Sequence, residues 1–131
     1  MIPDRIIEQG TLTTTGARAS VEVRIPWYRA LPGSCISGAS LTIDGVAAPA
    51  ESLRWGMNGR EFTFEELSTS VDEWWFPLDS AILSGDIAVS TDAEHTVEVG
   101  LTLYIPYIII SDTETLHIDE HDRKTMTAVA A

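Results

Sequence analysis

The sequence has one cysteine, few bases and no long apolar run, and each shortage removes a class of protein. Cys35 stands alone, so the chain closes no internal disulfide and builds no multi-thiolate metal site. Eight Lys and Arg face twenty Asp and Glu, for a net charge of −12. The excess is lopsided, because residues 66–131 carry 13 acidic and 2 basic groups. Such a field repels phosphate backbones and anionic bilayers, which argues against nucleic-acid and membrane partners. The longest apolar stretch, Leu101–Ile110, is about ten residues and contains Pro106, where a bilayer needs roughly 20. The opening MIPDRIIEQG has charges where a signal peptide needs an unbroken apolar core. The expectation is a soluble, cytoplasmic, single domain over residues 1–131.

The residues present read as strands. Val21, Val23, Ile25 and Trp27 alternate with Glu22 and Arg24. A preceding strand over Arg5–Thr13 with a turn near Thr15-Gly16 completes a hairpin. Leu41 and Ile43 lead to an Asp44-Gly45 turn. Leu53, Trp55 and Met57 lead to Asn58-Gly59, the strongest hairpin signal in the chain, with Phe62 and Phe64 on the return. Thr63 and Glu66 have capping-box spacing for one short helical turn, with Phe64 and Leu67 on one side. Over Asp72–Leu78, Trp74, Phe76 and Leu78 fall on one face and Trp75 on the other, so Trp75 is the ring expected outward. Val97, Val99, Leu101, Leu103 and Ile105 form the clearest strand, which Pro106-Tyr107 is expected to end. Residues 111–123 read as an acidic loop, 124–129 as a last edge strand, and 130–131 as a frayed end. Short strands with turns about every 8–12 residues predict an all-β fold, an antiparallel β-sandwich with one short helical turn.

No constellation carries catalysis convincingly. His117 and His121 are four apart, which suits a metal pair on a helix, yet they lie about 13 Å apart in an extended segment. Cys35 with His95, and the carboxylates Glu65, Glu66, Asp72 and Glu73, have structural readings as a buried small residue and a solvated face. The segment between Pro26 and Pro32 is the better clue. Proline stiffens it in advance, so Tyr28, Arg29 and Leu31 lose less entropy on contact with a partner. Trp27, Tyr28, Arg29, Leu31, Pro32 and Trp75 are the expected partner or substrate-entrance contacts. A free-standing carbohydrate-binding module draws on the same aromatics, and an independent enzyme would draw on Cys35 or the acidic clusters.

Four stretches carry a resemblance: VRIPWYRALPGSCISGASLTIDG, LRWGMNGREFTFEEL, DEWWFPLDSAIL and HTVEVGLTLYIPYI. In that order and spacing they resemble the small β subunit of bacterial C-glycoside deglycosidases, over residues 5–110. The resemblance implies a β-sandwich that assembles with a larger α subunit built like sugar-isomerase TIM barrels. It implies that the α subunit holds a divalent metal, typically manganese, and the acid/base groups, with no cofactor in this chain. It further implies cleavage of the carbon–carbon bond between a 3-oxo sugar and a flavonoid or anthraquinone aglycone, after a separate oxidoreductase has made the ketone. Oxidation must come first, because a C-glycosidic bond offers no leaving oxygen to protonate. A C3 carbonyl acidifies the C2 proton, so a base can start a β-elimination. On this resemblance Tyr28, Arg29, Leu31 and Trp75 order α-subunit loops or line the aglycone entrance.

Overall fold

A computed structural model describes residues 6–25, 30–70, 72–76, 79–111 and 114–130, with the backbone path alone at 105–111 and 114–118. The strands are β1 (Thr13–Thr15), β2 (Arg18–Val23), β3 (Leu31–Pro32), β4 (Ile36–Ile43), β5 (Val46–Ala47), β6 (Arg54–Met57) and β7 (Arg60–Phe62). A single helical turn, α1 (Phe64–Leu67), precedes β8 (Trp74–Trp75), β9 (Ala81–Gly85), β10 (Glu94–Ser111), β11 (Glu114–Thr127) and β12 (Val129–Ala130). Among the described residues these form a six-stranded sheet, β12-β1-β2-β9-β6-β7, a four-stranded sheet, β11-β10-β4-β5, and the two-stranded ladder β3-β8. All pairings are antiparallel except β1 with β12. No helix among the described residues is long and apolar enough to cross a membrane.

Alternation explains the sandwich. Val21, Val23, Trp55 and Leu83 from the first sheet and Leu41, Ile43, Val97, Val99, Leu101 and Leu103 from the second are buried in one cluster. Each such side chain contributes about 1.5–3 kcal/mol by leaving water. The turn residues do what their chemistry allows. Asp44 and Gly45 have φ of 52° and 81°, and Asn58 and Gly59 have φ of 55° and 78°, the left-handed pairs that match the twist of two-residue hairpins. Thr63 caps α1 as its spacing predicts: its hydroxyl accepts from the Glu66 N–H at 3.1 Å, and the Glu66 carboxylate accepts from the Thr63 N–H at 2.8 Å.

Several expectations are corrected. The first hairpin pairs Thr13–Thr15 with Arg18–Ser20, and upstream only Ile7 bridges to Val23. Phe64 opens α1 and does not extend β7. Pro106 does not end β10, which runs on to Ser111. The register shifts between Ile105 and Ile109, a bulge being where a ladder tolerates a residue without an N–H. Residues 114–123 are not a loop but part of β11, which pairs with β10 from Glu94↔Thr127 to Ser111↔Glu114, and 112–113 lie outside the described residues. Charge on β11 is compatible with pairing because it is an edge strand, where charged side chains keep other chains from adding on. Ala130 is not frayed; it pairs with Thr14. Trp75 points inward, not outward, and among the described residues Trp74 and Phe76 are the exposed rings.

Candidate interaction site at the β3–β8 edge

The six predicted contacts divide three and three. Trp27, Tyr28 and Arg29 lie outside the described residues. Leu31, Pro32 and Trp75 are brought together, since Leu31 pairs with Trp75 and Pro32 with Trp74. Proline has no N–H for the ladder, and Gly33 supplies the next one, donating to the Glu73 carbonyl at 2.8 Å. Leu31 and Trp75 are each 1% exposed and belong to the core. Trp75 meets Trp55 edge-on at 4.9 Å and 80°, and its indole N–H donates to the Asp79 carbonyl at 3.0 Å. The exposed rings of this ladder are on its other side, where Trp74 is 42% exposed and Phe76 49%. The sequence signal for this was the run Trp74-Trp75-Phe76 itself. The alternation holds, with Trp74 and Phe76 on one face and Trp75 on the other, but it does not say which face is buried; Leu31 across the ladder selects it.

The tip of the β6–β7 hairpin holds this edge. The Asn58 amide donates to the Glu73 carboxylate at 3.0 Å and to the Trp74 carbonyl at 3.2 Å, and Arg60 donates to the other Glu73 oxygen at 3.0 Å. These hydrogen bonds, Asn58 first and then Arg60, hold the Glu73 carboxyl below its ordinary range. The Arg60 guanidinium also lies 5.0 Å from the Phe62 ring centroid. A groove of about 320 Å³ lined by Arg60, Glu66, Thr69, Ser70, Asp72 and Glu73 opens nearby.

Several of the groups considered for chemistry have structural roles, and the side chain of His117 lies outside the described residues. Cys35 is buried, and desolvation raises its thiol, which disfavours the thiolate a nucleophile needs. His95 faces Asp44 and Ser90 through its two ring nitrogens. Glu66 caps α1, and its bonds to Thr63 hold its carboxyl low. His121 sits in extended β11 opposite Gly100, beside an open cavity of about 560 Å³ that Ser40, Thr42, Glu98 and Arg123 help line. Among the described residues no three His, Cys, Asp or Glu side chains converge to hold a metal ion.

Among the described residues Asp44 and His95 hold a hairpin, Glu66 caps α1, Glu73 holds the β8 edge, and the exposed aromatic rings are both at that edge; the class this fold defines is an all-β sandwich. Comparison with known proteins places it more narrowly. Residues 6–107 match the model of the family described as C-glycoside deglycosidase beta subunit. A C-glycoside deglycosidase beta subunit of Microbacterium trichothecenolyticum is 79% identical over 131 residues, 100% of both chains. One from Arthrobacter globiformis is 68% identical over 127 residues, 96% of each. A 3'-dehydrocarminate deglycosidase beta subunit of a Microbacterium species is 35% identical over 126 residues, 96% of this chain and 95% of that one. The chain belongs to the C-glycoside deglycosidase beta subunit family.

Proposed function

We propose that the chain is the small, non-catalytic β subunit of a cytoplasmic heteromeric lyase that cleaves the carbon–carbon bond of 3-oxo-C-glycosides with flavonoid or anthraquinone aglycones. The larger α subunit, a sugar-isomerase-like TIM barrel, carries the active site. The observation behind this reading is the full-length identity with proteins named as beta subunits. A beta subunit implies an alpha counterpart, and the 35% relative is named for a substrate already oxidised at the 3' position.

The chemistry follows from that oxidation. The C3 carbonyl acidifies the C2–H, a base removes this proton, and the electron pair forms the C1–C2 double bond as the bond from C1 to the aromatic carbon breaks. The aglycone carbon then takes up a proton. A divalent metal in the α subunit, manganese on the family pattern, would stabilise the enolate oxygen. This chain's part is to brace the α subunit and keep water from the aglycone side of the site. Trp27, Tyr28, Arg29 and Pro32 are assigned to that contact. The carbohydrate-binding module is the weaker reading, because Trp74 and Phe76 sit at a two-stranded edge and not on a broad sheet face suited to stacking sugars.

The test assays a 3-oxo-C-glycoside with this chain alone, with the α subunit alone and with both. Turnover only in the mixture is expected. Turnover by this chain alone, or undiminished turnover when it is omitted, would overturn the assignment.

A further inference from the structure

The described residues leave five large apolar side chains exposed: Val46, Trp74, Phe76, Ile82 and Val129. Val46 sits beside a hairpin turn, Val129 near the chain end, and Ile82 in the middle of a sheet face. Only Trp74 and Phe76 are aromatic, and only they lie two residues apart. Pro32 is the ladder partner of Trp74, so a third apolar residue lies at the same edge. Leaving two rings of this size in water is costly unless something covers them, and Trp is among the residues that most often dominate binding energy.

The edge is also rigid before contact. Trp75 is anchored in the core directly behind it, while Asn58 fixes the Trp74 carbonyl and Gly33 the Glu73 carbonyl. A partner would therefore lose little entropy in ordering it. The rim is acidic. Glu65, Glu66, Asp72, Glu73 and Asp79 surround the rings in sequence; of the described cations near this rim, Arg60 is bound to Glu73 and Arg54 donates to the Glu51 and Leu53 carbonyls. The adjoining groove of about 320 Å³ is lined by three of these carboxylates, Glu66, Asp72 and Glu73, and is the right kind of receptacle for a Lys or Arg side chain.

We infer that the Trp74–Phe76 edge is the anchor on which the larger subunit docks, through an apolar pocket rimmed by basic side chains; this rests on the β-subunit reading above. A second copy of this chain is the poorer occupant. A two-fold contact would oppose two identical acidic rims on chains of net charge −12.

The experiment measures the dissociation constant of the purified α subunit for the wild-type chain and for Trp74→Ser, Phe76→Ser and Ile82→Ser. Trp74→Ser and Phe76→Ser are expected to raise it at least about tenfold each, and Ile82→Ser by less than about twofold. A photo-crosslinking amino acid at position 74 should join the two subunits in the assembled complex, and one at position 82 should not. This arm reads the surface even if a serine variant folds poorly. Wild-type binding with unchanged affinity in the position-74 and -76 variants, or crosslinking from 82 and not 74, overturns the docking edge and leaves the β-subunit reading intact. No association between the wild-type chain and the α subunit overturns both. Self-association of the chain through position 74 overturns the choice of occupant.

Discussion

His95 Nδ1 lies 2.6 Å from the Asp44 Oδ2, which ties the start of β10 to the turn between β4 and β5. The other ring nitrogen, Nε2, lies 2.8 Å from the Ser90 carbonyl. Both neighbours are acceptors, so only the imidazolium, with two N–H groups, satisfies both. The Asp44 bond first and the Ser90 carbonyl second raise the His95 pKa above its ordinary 6.5, against the opposing effect of burial. Asp44 is held below its ordinary 3.8 by His95 and by the Thr96 N–H, which it accepts at 2.8 Å.

A pH-dependent stability follows. The raised imidazole contributes stability that is complete below pH 6.5 and is lost as pH rises through the folded value. The lowered carboxyl contributes stability present above pH 3.8 and lost as pH falls through its folded value. The pair is therefore at full strength between about pH 4 and 6.5. The melting temperature of the wild type should exceed that of His95→Gln most in this window, and the gap should narrow from pH 6.5 upwards. A gap that stays constant to pH 9 would show that the pair does not titrate as described.

The two core tryptophans should respond differently to the same substitution. Among the described residues the Trp55 indole N–H has no hydrogen-bond partner, whereas that of Trp75 has the Asp79 carbonyl. Phenylalanine leaves a cavity at either site. At 55 it also removes an unpaired buried donor, and at 75 it breaks the bond to the Asp79 carbonyl. Trp75→Phe should then be more destabilising by about 1–3 kcal/mol in urea unfolding. Equal losses would mean that Trp55 finds an acceptor in solution.

Much of this fold is legible because its signals are local. Asn58-Gly59, Asp44-Gly45 and the Thr63/Glu66 cap need only their own few residues to specify a conformation. The buried alternation from Val97 to Leu103 is equally plain. β11 was illegible because its pattern is charged, and its pairing comes from the long β10 beside it, with Glu98 opposite Arg123 and Thr102 opposite Asp119. The facing of Trp75 is hidden for a related reason: which side of a two-residue strand is buried is set by a tertiary partner, Leu31. The exposed edge could thus be located in the sequence, but not which of its rings faced water.

Two glycines should separate by what surrounds them. A Cβ on Gly85 would come within 2.7 Å of the Ala48 Cβ, which is fixed to its backbone, and 3.1 Å of Leu53 Cδ2, the end of a buried side chain. On Gly38 the nearest atom would be 3.9 Å away. Gly85→Ala should cost about 1–3 kcal/mol through overpacking. Gly38→Ala should fall within about 0.5 kcal/mol of the wild type. Similar denaturation midpoints for the two variants would contradict the packing described around Gly85.

Asn58 couples a turn to the exposed edge, and two substitutions separate its roles. Asn58→Gly keeps the left-handed backbone, where φ is 55°, but removes the donors to Glu73 and Trp74. Asn58→Ala removes the same donors and leaves a strain of about 1–2 kcal/mol, because alanine has a Cβ, which glycine lacks, without the short polar side chain that lets asparagine tolerate the left-handed region. Stability should therefore fall in the order wild type, Asn58→Gly, Asn58→Ala. Both variants should also release the Glu73 carboxyl upward toward its ordinary range, since Asn58 is the largest cause of its depression. Carbon-13 NMR titration of that carboxyl reads the second effect independently of the first. If it does not move while stability falls, Asn58 acts on the turn alone, and the edge that carries Trp74 is held by Arg60 and the core behind it.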